Sequence, residues 1–302
     1  MSTRVSLKTW LAAARLRTLP LALSAILLGS LLAKFFGAFS LTILLLCLFT
    51  AIFYQVLSNF ANDLGDGIKG TDANKVGEKR AIASGSITVV QMKNAVVLFS
   101  GLSLISGSFL SWFATVGQAL WITILFISLG FAATFAALSY TLGKRAYGYS
   151  GWGDLFVLIF FGWLGVLGAF FLQAKMLPLE LLLPASAVGF LAMGVLNLNN
   201  MRDVENDRLA LKNTVVVKMG IATAKKYQLF LLIGALTMQS IFVLRTTESR
   251  WAWLFLLVTP LIVINAKKAW QAKESKDFDP LLKPLAITTL LFCLLAGIGQ
   301  NL

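Results

Sequence analysis

The sequence predicts an all-α integral membrane protein with about nine transmembrane helices, and three observations carry that expectation. Of 302 residues, 58% are hydrophobic and only 13% charged, where a soluble domain carries about a quarter charged residues. The apolar residues are gathered into runs long enough to cross a bilayer as helices. Those runs are continuously apolar and do not alternate, which argues against a β-barrel. Spans are expected at about 18–36, 40–58, 88–111, 118–141, 154–173, 178–198, 226–245, 251–267 and 284–301.

Taken in order, the first span follows Arg15 and Arg17 and is a full-length apolar segment. The Gly29-Ser30 region offers no convincing cleavage context, so the segment reads as a span and not as a signal peptide. The second is expected to continue past the membrane surface from Asn59 to Asp66, until Gly65, Gly67 and Gly70 break it and Gly70-Thr71-Asp72 turns. The third and fourth join through a short outer connection from Trp112 to about Gly117. The fifth starts at Asp154, where an acid is favoured by the helix dipole. It carries Gly162, Gly165 and Gly168, small residues that let helices approach closely. A short outer link from Gln173 to Pro178 leads to the sixth, which extends from Asn197 through Asp207 beyond the membrane. The last three spans are set off mainly by basic flanks. Cys47 and Cys293 lie inside apolar runs and read as small buried hydrophobes.

The net charge of +13 does not point to nucleic acid, because its distribution is one-sided. With the N-terminus inside, only Lys34, Lys175, Arg245 and Arg250 of the 26 Lys and Arg fall outside. The positive-inside rule then gives an N-in, C-out topology. The excess of positive charge suits anionic headgroups and an anionic substrate. No soluble domain or low-complexity linker interrupts the chain, so residues 1–302 read as one polytopic domain in the cytoplasmic (inner) membrane. The absence of histidine excludes imidazole catalysis.

Two acidic clusters stand out, both at inner ends of apolar runs and both facing the cytoplasm in this topology. One runs from Asn62 through Asp63 and Asp66 to Asp72; the other from Asn199 through Asp203 and Glu205 to Asp207. Carboxylates three or four residues apart share a helix face, where they repel unless a cation lies between them. Acids near a helix C-terminus also oppose the macrodipole. Hard oxygen ligands fit Mg²⁺ holding a substrate phosphate, and Lys69, Arg80, Arg202 and Lys212 are the candidate phosphate cations. A diphosphate bound among apolar helices suggests a lipid substrate, and an allylic isoprenoid ionises when its diphosphate is neutralised. Aromatic faces stabilise cations; Tyr140 and Tyr147 flank an inner turn.

Several motifs occur together in a fixed order. They are Leu16-Arg17-Thr18-Leu19-Pro20, then Asn59 to Asp72 ending in Lys69-Gly70-Thr71-Asp72, then Tyr140-Thr141, Tyr147-Gly148-Tyr149 and Phe161-Gly162-Trp163. Last come Asn197 to Asp207, with its Asn199-Asn200-Met201-Arg202-Asp203 run, and Lys212-Asn213-Thr214. On these residues the chain resembles the UbiA superfamily of intramembrane aromatic prenyltransferases, and within it the branch that acts on 1,4-dihydroxy-2-naphthoate. The resemblance implies a nine-helix bundle around a central cavity whose mouth is capped by the two acidic loops. It implies that Asn62, Asp63, Asp66, Asp203 and Asp207 bind Mg²⁺ and through it a polyprenyl diphosphate. Lys69, Arg80 and Lys212 would neutralise phosphate oxygens, with Arg202 and Tyr140 as further substrate contacts. Asp66, Asp203, Asp207 and Lys69 would be catalytic. The product would be a demethylmenaquinol, formed with loss of CO₂ and diphosphate on the way to menaquinone. The chain departs from the general superfamily pattern in one place: Asp72 follows Asp66 by six residues where the pattern has four. Asp72 is therefore ranked below Asn62, Asp63 and Asp66.

Three other readings compete. A phytyl donor would serve phylloquinone synthesis, and a 4-hydroxybenzoate or haem-type enzyme would share the diphosphate site. A transporter would also place acids in a bundle, but near the bilayer midplane; here the span interiors carry almost none.

Overall fold

The computed structural model describes residues 5–71, 80–143 and 146–302. Among them, nine helical segments are long and apolar enough to cross a membrane. They are α1 (Leu7–Phe35), α2 (Leu41–Lys69), α3 (Val89–Ala114), α4 (Leu120–Ser139), α5 (Gly153–Ala174), α6 (Leu179–Leu209), α7 (Val215–Thr246), α8 (Arg250–Gln271) and α9 (Ser275–Gln300). The described residues contain no strand. Asp72, Lys144 and Arg145 lie outside the described residues.

Side chains set several helix starts. Ser40 caps α2 by accepting from the Ile43 amide, and Thr214 caps α7 by accepting from Val217. Thr88 and Gln91 form a reciprocal capping box at α3. Helix α1 is interrupted: Arg15 takes a left-handed φ of 50°, and the membrane helix begins at Leu19.

Two boundaries differ from expectation. Helix α2 does not break at Gly65 or Gly67 but runs to Lys69, where Gly70 (φ 70°) ends it in the left-handed conformation. Gly65 and Gly67 serve close packing instead. A Cβ on Gly65 would overlap the Thr141 side chain, and one on Gly67 would lie 2.5 Å from Ile82 Cγ2. Helix α7 begins at Val215 and not near 226, with a kink at Gly220 (φ 76°). Lys218, Gly220, Thr223 and Lys225 interrupt the apolar residues there and hide those first turns from an apolar-run reading.

The core sits between α6, α9, α1 and α5. Leu28, Leu32, Val166, Val188, Leu191 and Phe292 are fully buried there. Small residues make the close approaches expected of Gly162 to Gly168: a Cβ on Gly162 would come within 2.9 Å of the Gly189 Cα, and one on Gly165 within 2.7 Å of the Ala25 Cβ. Helix α5 adopts a π-helical course over Leu158–Leu164. Cys47 and Cys293 are buried free thiols, as expected.

Lys175 follows α5 with a left-handed φ of 59°. Its ammonium donates to the carbonyls of Ala114 and Leu172 and so ties the ends of α3 and α5 together. Burial lowers its pKa.

Candidate active site

The helices enclose a cavity of about 480 Å³. Asn62 and Cys47 both line it, fifteen residues apart on α2, which is about 22 Å at the helical rise. The cavity therefore spans most of the membrane thickness. One end is polar, walled by Asn62 and Asp66 of α2, by Asn199, Asn200, Asp203 and Asp207 of α6, and by Arg80 and Lys212. Below that mouth the lining becomes apolar and aromatic, with Phe126, Leu129, Phe156, Phe160 and Leu164, and it reaches Cys47 and Leu172 near the Lys175 anchor.

The two acidic helix ends thus face one another across a single mouth. Asp66 Oδ1 accepts from Lys212 Nζ at 2.9 Å and from the Tyr149 hydroxyl at 2.7 Å. Lys212 Nζ also lies 3.9 Å from Asp207, so one ammonium bridges the clusters. Lys212 is aimed inward by a tight turn in which its amide donates to Asp207 O at 2.8 Å and Leu211 takes a left-handed φ of 56°. Such buried ion pairs are costly to form and more costly to break on one side.

Asp203 is held differently. Arg202 Nε donates to Asp203 Oδ1 at 2.7 Å and Nη2 to Oδ2 at 2.8 Å. The same guanidinium reaches Asp279 of α9 at 2.7 Å and Asn199 Oδ1 at 2.8 Å. Arg202, expected as a substrate contact, is not among the residues that line the cavity; its donors go to Asp203, Asp279 and Asn199.

Asp63 is likewise not brought to the cavity. It is buried, and its carboxylate accepts from the Ala81 amide at 3.0 Å and the Ile82 amide at 3.5 Å. Asp63 lies one turn from Asp66, and its carboxylate anchors the neighbouring loop. That anchor fixes the segment carrying Arg80, which does line the cavity.

Lys69 also lies off the lining. Its ammonium donates to Thr141 O at 2.8 Å and sits 4.0 Å from the Tyr149 ring centroid. Tyr140 lines the cavity beside Tyr147, their rings 5.2 Å apart, and Tyr147 stacks on Phe156 at 3.9 Å. Burial pushes both phenols well above their ordinary pKa, with nearby carboxylates adding to the effect at Tyr140. Both stay protonated near neutrality and can donate hydrogen bonds. Asp154 is buried off the cavity, accepting from Tyr227 at 3.1 Å.

Two participants were given no role from sequence. Tyr149 entered only within the Tyr147-Gly148-Tyr149 motif, and its bond to Asp66 joins positions 83 residues apart. Asp279 touches Arg202 across 77 residues, a pairing that no local spacing signals.

The donor set fits a hard divalent cation. Asn62 Oδ1 is buried without a hydrogen-bond partner on the wall that carries Asp66, opposite Asp203 and Asp207. Among the described residues no three acidic, cysteine or histidine side chains form a ready cage. Oxygen donors spread over two walls suit an ion that completes its shell with water and substrate phosphate oxygens.

Proteins of known name resemble this chain in sequence and fold. The 1,4-dihydroxy-2-naphthoate octaprenyltransferase of Escherichia coli (strain K12) is 42% identical over 292 residues, covering 95% of this chain and 94% of its own. The protein of the same name from Haemophilus influenzae is 39% identical, covering 97% and 96%. Among solved structures, a UbiA homolog from Aeropyrum pernix K1 superposes with a TM-score of 0.71 at 16% identity, covering 94% of this chain and 97% of that one. A UbiA homolog from Archaeoglobus fulgidus, bound to GPP and Mg²⁺, gives 0.62 at 17% identity, covering 97% and 100%. At those identities the structures show a shared fold. The family model for UbiA prenyltransferases matches residues 22–288, a stretch that holds both facing acidic walls and the apolar cavity between them, and the chain belongs to the UbiA prenyltransferase family.

Proposed function

We propose that this enzyme transfers a polyprenyl group from a polyprenyl diphosphate to 1,4-dihydroxy-2-naphthoate, releasing diphosphate and CO₂ and giving a demethylmenaquinol for menaquinone synthesis. The observation that carries the reading is the pair of acidic helix ends facing one another over a deep apolar cavity. The naphthoate octaprenyltransferases at 42% and 39% identity support the acceptor.

Asn62, Asp66, Asp203 and Asp207 would hold Mg²⁺ on the diphosphate. When bound, Mg²⁺ neutralises charge on the diphosphate and so makes it a better leaving group. The chain's own groups supply the rest. Lys212 and Arg80 bring positive charge to the phosphate oxygens. The apolar depth takes the isoprenoid and excludes water, which strengthens every charge interaction at the mouth. As the allylic C–O bond breaks, its electron pair leaves with diphosphate. The faces of Tyr147, Phe156 and Phe160 are suited to the allylic cation. The electron-rich ring attacks through its carboxylate-bearing carbon. The new C–C bond takes a ring electron pair, and the pair released as CO₂ departs restores aromaticity. Tyr140, a cavity-lining phenol, can donate a hydrogen bond to an acceptor oxygen. Asp63 and Arg202 keep Arg80 and Asp203 in place.

The one-sided charge distribution supports a mouth on the cytoplasmic side of the inner membrane, with the N-terminus in and the C-terminus out. Single cysteines in a background lacking Cys47 and Cys293 test this: one near Thr246 should react with a membrane-impermeant thiol reagent in intact cells, and one near Lys225 should not. For function, purified protein is given Mg²⁺, a polyprenyl diphosphate and a panel of aromatic acids, with products read by mass. Prenylated, decarboxylated naphthalenediol is expected, and EDTA should stop its formation. Turnover only with benzoate acceptors would overturn the naphthoate reading.

A further inference from the structure

We propose that Tyr149 is a positioning residue with two separable parts: its ring holds Lys69 and Lys212 as a pair, and its hydroxyl presents Asp66. The inference rests on the diphosphate and metal reading above and concerns how that site is preorganised.

The geometry places one aromatic ring among three charged groups. Lys69 Nζ lies 4.0 Å and Lys212 Nζ 4.6 Å from the Tyr149 centroid. Two ammonium groups so close to each other repel, and the negative face of a ring attracts both. A ring does this without adding a second negative charge to the one that Lys212 already meets at Asp66, while Lys69 keeps its bond to Thr141 O. The hydroxyl acts on the opposite sign: it donates at 2.7 Å to Asp66 Oδ1, the oxygen that also accepts from Lys212. A charge-assisted bond of this length fixes the carboxylate rotamer.

Tyr149 is itself held from both sides. Its carbonyl accepts from the Asn213 amide at 2.9 Å, and the next carbonyl, of Ser150, accepts from Lys218 Nζ at 2.9 Å. Gly148 donates to Tyr140 O at 3.0 Å. The α4–α5 and α6–α7 connections are thereby fastened to each other, with the Tyr149 side chain reaching α2. The residue lines the cavity mouth, so it can register three elements at the point where the diphosphate binds.

Two variants separate the parts. Tyr149→Phe keeps the ring and removes the hydroxyl; Tyr149→Leu removes both. The readouts, taken without acceptor, are the Mn²⁺ affinity in the presence of inorganic pyrophosphate and the pyrophosphate affinity at saturating Mn²⁺, by titration calorimetry on the full chain in detergent. For Tyr149→Phe we expect Mn²⁺ affinity to fall about tenfold and pyrophosphate affinity at saturating metal to stay within about twofold. For Tyr149→Leu the pyrophosphate affinity should also fall, by about fivefold. Equal losses in both variants, or wild-type values in both, overturn the inference. Asp66→Asn is the control for the underlying reading. If it loses metal binding while the Tyr149 variants bind as wild type, only the role of Tyr149 fails. If it binds normally, the diphosphate and metal reading fails first.

Discussion

The acidic ends of α2 and α6 look alike in sequence and are used differently in the structure. Each carries carboxylates three or four residues apart and ends on a Lys or Arg. On α6, Asp203 and Asp207 lie one turn apart and both reach the cavity. On α2, only Asp66 does; Asp63 turns to the backbone amides of Ala81 and Ile82. The counter-charges differ too. Asp203 is clamped by its own neighbour Arg202, which is anchored on α9 through Asp279. Asp66 is met by Lys212, arriving from the far side of the mouth. The difference teaches that one acidic end is a rigid platform and the other a shared contact whose cation comes from its opposite wall. A flexible Lys suits the second place and a planar guanidinium the first, because Arg's fork can hold both oxygens of one carboxylate and still donate to a second.

The comparison breaks most sharply at the carboxylates that face the mouth. Asp66→Asn and Asp203→Asn should each lower kcat by about a hundredfold or more, as expected when a group that organises transition-state charge is removed. Each variant also leaves a buried cation without its carboxylate, Lys212 in one and Arg202 in the other, so the thermal midpoint should fall as well, and turnover is read below it. Steady-state turnover at saturating Mg²⁺ measures the first and a thermal midpoint the second. Near-normal turnover in either variant would contradict the two-wall site.

Asp63→Asn sharpens the contrast. It keeps an oxygen for the Ala81 amide and loses a charge that does not face the cavity, so turnover should fall less than about tenfold. Asp63→Ala leaves buried amides unpaired and should cost about 1–3 kcal/mol of stability. If Asp63→Asn proved as damaging as Asp66→Asn, the two ends of the molecule would be equivalent after all. The smallest effect is expected beside Lys212. Leu211 is exposed and held at φ 56°, so Leu211→Asn should stabilise the fold by up to about 1 kcal/mol, read as a raised thermal midpoint.

Much of this was legible in the residues, and the limits have physical causes. Nine spans follow from run length, because lipid requires satisfied backbones and makes the apolar pattern continuous. Asp66, Asp203 and Asp207 were legible as candidates because uncompensated acids at helix C-termini are unfavourable, and Lys212 by its nearness to them in sequence. The exact use of Gly65 and Gly67 was not: a helix-breaking tendency of about 1 kcal/mol per glycine yields to tertiary packing against Thr141 and Ile82. Asp63 and Arg202 share the spacing of cavity residues, yet their directions are set by partners distant in sequence, Ala81 and Asp279. Spacing reports which residues share a face of one helix. It does not report what that face meets.

The central claim is that the facing acidic ends activate a prenyl diphosphate for attack by the carboxyl-bearing carbon of a naphthalenediol. The direct measurement uses 1,4-dihydroxy-2-naphthoate labelled at its carboxyl group, with purified enzyme, Mg²⁺ and a polyprenyl diphosphate. Labelled CO₂ should appear in one-to-one step with prenylated product and diphosphate, and all three should vanish together in Asp66→Asn. Prenylated product that retains the label would contradict the account.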